Sequence, residues 1–227
     1  MPGFGRMNAV VFDLDGTLID SAPDIAAALN ALLAEHGRPH LPLDAVKQMI
    51  GDGSAALLAR AFAATGPALV DGARGPVLGR FIEIYDARAA APDSVYPGVE
   101  ATLESLKAAG LRLGLCTNKP ERVTRTVLRS LGLDRFFDAV AGGDSLPFRK
   151  PDGRHLRWVL DRLGADADRS AMVGDNAHDV AVAKATGTAA VAVAYGYPRM
   201  PIADLGADAV IERFDELPAA LARLGTA

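Results

Sequence analysis

Apolar residues follow two different rhythms along this chain. Before residue 20 and after residue 97, short apolar runs alternate with segments of helical period. The first run, Ala9-Val10-Val11-Phe12, is short and unbroken, as expected of one buried strand. Leu111 to Cys116 reads as a strand that Thr117 to Pro120 interrupts, and a helix follows from Glu121 to Leu131, near Gly132. Ala139-Val140-Ala141 predicts a short strand closed by Gly142-Gly143, and residues 153–163 are amphipathic. Ala171-Met172-Val173 predicts a strand ending in Gly174-Asp175, and a helix over 178–186 stops at Gly187. Ala189 to Ala194 and Ala209-Val210-Ile211 complete the strands. Strands alternating with helices predict an α/β fold built on a parallel, doubly wound sheet.

Residues 20–95 break this rhythm. They read as helices separated by turn signals at Gly37-Arg38-Pro39, Gly51-Asp52-Gly53 and Gly66-Pro67, with no convincing strand. The expected organisation is an α/β core, 1–19 with 96–227, and an inserted all-helical unit, 20–95. Asp20 to Pro23 reads as the exit from the core and Tyr96-Pro97-Gly98 as the return. An insert at the functional end of a sheet is well placed to act as a lid; a plain second packing layer is the alternative.

Composition narrows the function classes. The chain has 227 residues, half of them hydrophobic, which allows one large domain or a core with a smaller insert. A net charge of −4 and the lack of a basic run argue against nucleic acid as a partner. No apolar stretch before Asp13 exceeds a strand, so neither a signal peptide nor a membrane span is expected. One cysteine, Cys116, leaves no internal disulfide and suits a reducing, cytoplasmic setting. Nothing in the pattern specifies an oligomeric state.

The candidate chemistry starts at Asp13-Leu14-Asp15-Gly16-Thr17-Leu18. Residues two apart on an extended chain point to the same side, so Asp13 and Asp15 share one side of a strand end. A divalent metal or a shared proton would relieve their repulsion. Three further sites follow other strands or loops: Thr117-Asn118, Lys150 in Arg149-Lys150-Pro151, and Gly174-Asp175-Asn176-Ala177-His178-Asp179. Three carboxylates, a lysine and a hydroxyl suit Mg²⁺ together with a phosphate.

These four segments resemble, in order, the four motifs of the haloacid-dehalogenase-like hydrolase superfamily, and the phrases Thr117-Asn118-Lys119-Pro120 and Gly142-Gly143-Asp144-Ser145 resemble its phosphatases. The helical insert between the first two motifs matches that family's cap. The resemblance implies a Mg²⁺-dependent phosphatase acting on a small phosphorylated metabolite, with 2-phosphoglycolate favoured. It implies that Asp13 attacks phosphorus and binds the metal. Asp15 protonates the leaving oxygen, then activates water, and lends its backbone carbonyl to the metal. Thr117 and Asn118 hold the phosphoryl group, Lys150 neutralises it, Asp175 ligates the metal and Asp179 orients the metal shell. Asn176 and Gly153 depart from the residues common at those positions, and neither departure removes a catalytic group. A sugar-phosphate mutase, a related phosphatase with another substrate and a non-catalytic scaffold are the alternatives.

Cys116 and Arg122 have the spacing of cysteine-dependent phosphatases, but Pro120 removes a backbone donor such a loop needs, and a buried core thiol is the better reading. His155 is expected on a solvated helix face, His178 exposed at a helix start, and Lys119 in contact with solvent or near phosphate. Tyr195 and Tyr197 are candidates for the cleft rim. In the insert, Gly51, Asp52 and Gly53 form a candidate substrate loop, and Lys47 and Arg60 are the nearest cations for a substrate carboxylate.

Overall fold

Six short apolar runs pair into one parallel sheet in the computed structural model, which describes residues 4–88 and 94–225. The strands are β1 (Ala9–Phe12), β2 (Arg112–Cys116), β3 (Ala139–Ala141), β4 (Ser170–Gly174), β5 (Ala189–Val193) and β6 (Ala209–Ile211). Their order is β3-β2-β1-β4-β5-β6, with every neighbouring pair parallel. The strands are apolar on both sides because both sides are covered. Val10, Phe12, Leu113, Leu115, Val173 and Val191 face one cluster, which takes in α5 (Val99–Ala108), α6 (Glu121–Ser130) and α9 (Leu217–Gly225). Ala9, Val11, Cys116, Met172 and Ala190 face the other, formed by α7 (Gly153–Leu163) and α8 (Ala177–Thr186).

Four helices lie between β1 and α5: α1 (Ala22–Glu35), α2 (Leu43–Lys47), α3 (Ser54–Thr65) and α4 (Asp71–Asp86). The turns fall at Gly37, Gly51–Gly53 and Gly66, where the chain needs positive φ. The outgoing and returning segments lie side by side. Asp20 N donates to Ser94 O at 2.7 Å and Tyr96 N to Leu18 O at 3.0 Å, around an antiparallel bridge between Ile19 and Val95. The helical segment thus hangs from a two-stranded stem next to the end of β1. The Ala-rich segment after residue 86 falls partly outside the described residues.

Helices α5 and α9 have no counterpart in the sequence reading. Both are short and amphipathic, and each exists to cover the sheet: Leu103 and Leu106 of α5 and Leu217 and Leu221 of α9 are fully buried. No helix among the described residues is long and apolar enough to cross a membrane.

Close packing of α7 on the sheet depends on Gly114 in β2. A Cβ there would lie 2.6 Å from Val159 Cγ1 and 3.1 Å from Leu163 Cδ1. Valine carries a stiff, branched side chain, so the helix would have to move rather than the rotamer. Gly114→Val is therefore expected to lower stability by about 1–3 kcal/mol or more, the usual penalty for overpacking a core. Urea unfolding followed by circular dichroism would register it as a lower midpoint at unchanged slope; an unaltered midpoint would mean that α7 is not closely seated.

Candidate active site

The site forms where β1, β2 and β4 end, at the carboxyl edge of the sheet. β1 lies between β2 and β4, and the connections run outward in opposite directions from it, so a crevice opens there. Asp13 follows β1 directly, and its N–H still pairs with Val173 O at 2.9 Å. The chain then turns at Gly16, which has φ of 80° and would bring a Cβ to 2.4 Å from Asp175 Oδ2. Only glycine combines that backbone with that approach. The turn therefore presses the β1 end against the β4 end.

Four charged groups are buried together at this edge. Lys150 Nζ lies 2.6 Å from Asp179 Oδ1 and 3.0 Å from Asp13 Oδ1, the latter without hydrogen-bond geometry. Asp179 Oδ2 accepts from the backbone N–H groups of Asp175 and Asn176, both at 3.1 Å. Asp175 receives Tyr197 N–H at 2.7 Å and Asn176 Nδ2 at 3.0 Å. Asp13, Asp175 and Asp179 each offer an oxygen within 4.8 Å of the others. Burial pushes the Asp13 carboxyl up against the pull of Lys150. Burial, then Asp179 and Asp13, pushes Asp175 up as well. Burial alone would lower the Lys150 ammonium, but Asp13 and Asp179 outweigh it and hold it protonated. One cation against three carboxylates leaves the cluster short of positive charge. A hard divalent cation with oxygen ligands fits that donor set.

Lys150 is placed by a residue the sequence reading assigned to solvent. His155 is completely buried. Its Nδ1 accepts Lys150 N–H at 3.2 Å and its Nε2 lies 3.1 Å from Gly142 O, so the neutral ring ties the Lys150 loop to the end of β3. The correction has a simple cause. α7 presents His155 on the same side as Leu156 and Val159, toward the sheet, while Arg154 and Arg157 point outward.

Thr117 and Asn118 follow β2 and line the cleft with Asp13 and Asp15. Thr117 Oγ1 accepts Lys119 N–H at 3.3 Å. Asn118 Nδ2 donates to Gly51 O at 3.0 Å and to Lys150 O at 3.1 Å, which joins the α2–α3 turn to the sheet edge. Gly51, Gly53 and Ser54 reach the cleft, whereas Lys47, Asp52 and Arg60 are not among its lining residues. Arg60 is bonded to Asp52 and to Met49 O at 3.0 Å. Lys47 Nζ sits 5.8 Å from the Tyr197 ring centre. Asp52 also receives both Arg199 amino groups, at 2.6 and 2.8 Å, and His178 Nδ1 lies 3.0 Å away. Burial would raise the Asp52 carboxyl, but Arg199 and Arg60 overcome it and hold it at about 2. His178 is accordingly half-buried rather than exposed. Tyr195 and Tyr197 turn away from the cleft: Tyr195 Oη bonds Thr17 O at 2.8 Å, and Tyr197 Oη bonds Asp20.

This edge of the sheet can be compared with known proteins. A family model described as haloacid dehalogenase-like hydrolase matches residues 7–187. The chain belongs to this family. It is 44% identical over 218 residues to a phosphoglycolate phosphatase of Caulobacter vibrioides, covering 96% of this chain and 92% of that one. It is 49% identical over 213 residues to a phosphoglycolate phosphatase of Rhodospirillum rubrum, covering 92% and 88%. A crystal structure of a predicted phosphoglycolate phosphatase from Haemophilus somnus superimposes with a TM-score of 0.89 at 30% identity, over 96% of this chain and 99% of that one. This hydrolase is an enzyme of the phosphatase class.

Cys116 is fully buried in β2, and burial pushes its thiol up to about 12, so it is a core side chain and no nucleophile. Lys119 is the residue whose role sequence reasoning left open. It is buried, with Nζ 2.9 Å from Asp15 Oδ1 and 2.9 Å from Tyr85 Oη of α4. Sequence spacing could place Lys119 near the strand end but could not bring Tyr85 to it.

Burial, then the nearby Lys150 charge, lowers His155 to about 4 from an ordinary 6.5. The unfolded chain therefore binds a proton below pH 6.5 that the hydrolase in its folded state refuses until about pH 4. Stability is lost as the pH falls through this window, by up to roughly 3 kcal/mol. His155→Gln, which keeps an acceptor and a donor but cannot titrate, should flatten that part of the curve. Urea midpoints measured at pH 7 and pH 5 would check this; an equal pH dependence in both proteins would rule His155 out.

Proposed function

We propose that this hydrolase is a Mg²⁺-dependent phosphatase of a small phosphomonoester, with 2-phosphoglycolate as substrate. The observation that carries the reading is the pair Asp13 and Asp15 at one cleft, Asp13 against Lys150 and the buried carboxylates, Asp15 against Lys119. Relatives named phosphoglycolate phosphatase, matching almost the whole chain, support the substrate.

The chemistry divides between the two aspartates. An Asp13 oxygen attacks phosphorus, and the bond to the ester oxygen breaks as Asp15 gives that oxygen a proton. Asp15 then takes a proton from water, whose oxygen attacks phosphorus, breaks the Asp13–phosphorus bond and releases inorganic phosphate. Asp13, Asp175 and the Asp15 carbonyl would hold the metal, and Asp179, already engaged with Lys150 and two backbone N–H groups, would brace them. When bound, the cation offsets charge on the phosphoryl oxygens. Lys150 offsets charge on Asp13 and the phosphoryl group, and Thr117 with Asn118 orients that group. Helices α1–α4 act as a cap, with the Gly51–Gly53 turn entering the cleft to exclude water.

Asp13→Asn preserves shape and removes the attacking charge. Phosphate release from 2-phosphoglycolate should fall to background while the urea midpoint is retained. A chelator should abolish wild-type release and added Mg²⁺ restore it. Sustained turnover by the purified variant, or by wild type in excess chelator, would refute the mechanism.

A further inference from the structure

The cleft is walled by apolar side chains, among them Ile25 of α1, Ile50 and Leu57 beside the α2–α3 turn, and Phe81 and Ile82 of α4. Among the described residues that line it, Lys119 is the one cation. Lys150 lies beneath, already committed to Asp13 and Asp179. Lys119 is different. Its partners are Asp15, at 2.9 and 3.2 Å, and the Tyr85 hydroxyl at 2.9 Å, with the ammonium 4.5 Å from the Tyr85 ring centre. An ammonium in apolar surroundings gains from a further anion that reaches it on the side away from Asp15, since water does not screen the pair.

The position of Lys119 limits which anion can reach it. Asp15 serves the leaving oxygen in the reaction proposed above, and this inference rests on that reading. A group within hydrogen-bond reach of Asp15 and another on Lys119 can then belong to one short molecule, because the two side chains touch. A carboxylate attached directly to the ester-bearing carbon, as in 2-phosphoglycolate, spans that interval. Lys47 and Arg60, the cations nearest the turn in sequence, lie outside the cleft and cannot make this contact.

We propose that Lys119 is the specificity-determining residue of this enzyme: it pairs with a carboxylate on the leaving group, and Tyr85 is a positioning residue that holds its ammonium toward the cleft. Selectivity for a short acidic phosphoester is thereby built into the segment after β2, with the helical region supplying the hydroxyl that aims it and the apolar walls that bound the leaving group. A phosphoester of similar size with an uncharged leaving group leaves Lys119 paired only with Asp15 and Tyr85 and gains nothing from it.

The test compares kcat/KM for 2-phosphoglycolate and ethyl phosphate in wild type, Lys119→Met, Lys119→Arg and Tyr85→Phe, with urea midpoints confirming the fold of each. Lys119 also touches Asp15, so Lys119→Met is expected to slow both substrates; the ratio between them is the diagnostic. Wild type should favour 2-phosphoglycolate, and Lys119→Met should reduce that preference at least about thirtyfold, as for loss of a buried charge partner. Lys119→Arg should restore part of it. Tyr85→Phe, the milder change, should raise KM for 2-phosphoglycolate more than for ethyl phosphate, with kcat less affected. Equal losses on both substrates, in Lys119→Met or, should that variant not fold, in Tyr85→Phe, would overturn the inference and leave the phosphatase reading standing. So would a wild type without preference. A wild type that releases phosphate from neither ester would remove the phosphatase reading itself, and this inference with it.

Discussion

Burying three carboxylates around one ammonium is the constraint on which the rest of this structure depends. Each such charge, taken from water alone, would be prohibitively costly. The fold offsets that cost with Lys150, with the backbone N–H groups of Asp175, Asn176 and Tyr197, and with the Asn176 amide. These donors come from segments far apart in the chain, so their arrangement needs the whole α/β core in place. The sheet order delivers this, because it sets the ends of β1 and β4 side by side and leaves the crevice open above them.

The remaining imbalance is the functional point. A cluster with more carboxylates than cations has the donor set that could hold a divalent ion. His155 shows how closely the balance is kept, since a protonated ring beside Lys150 would place two cations where the loop is built for one.

A second set of charges operates one layer further out. Asp52 at the α2–α3 turn gathers Arg60, Arg199 and His178, and Asn118 holds the carbonyl of Gly51. On that one carboxylate, Arg199 binds the turn to the loop after β5 and Arg60 binds it to α3. Exposed pairs of this kind contribute little stability singly. Their effect here is positional: they hold Gly51 and Gly53 over the cleft and keep Arg60 occupied. On our proposal, discrimination among substrates then falls to Lys119, a buried cation of the core.

Much of this was legible in the residues. Short apolar runs closed by glycine announced the strands, since a strand buried on both faces has no polar alternation to disguise it. The positions of Asp13, Asp15, Thr117 and Asp175 just after those runs announced a single edge, because parallel strands all end on one side, while Lys150 lies in the loop between β3 and α7. The turns at Gly37, Gly51–Gly53 and Gly66 were visible because positive φ selects glycine. Pairing across long sequence separations was not visible. Nothing local to Lys119 reveals Tyr85, nothing local to Asp52 reveals Arg199, and the neighbours Arg154 and Arg157 suggested solvent for a histidine that α7 turns inward. Helices α5 and α9 are hidden for the same reason, as their apolar faces are short and gain meaning only against the sheet. Local backbone chemistry and periodicity are written along the chain; which charges neutralise one another is decided only when distant segments meet in a medium too dry to screen them.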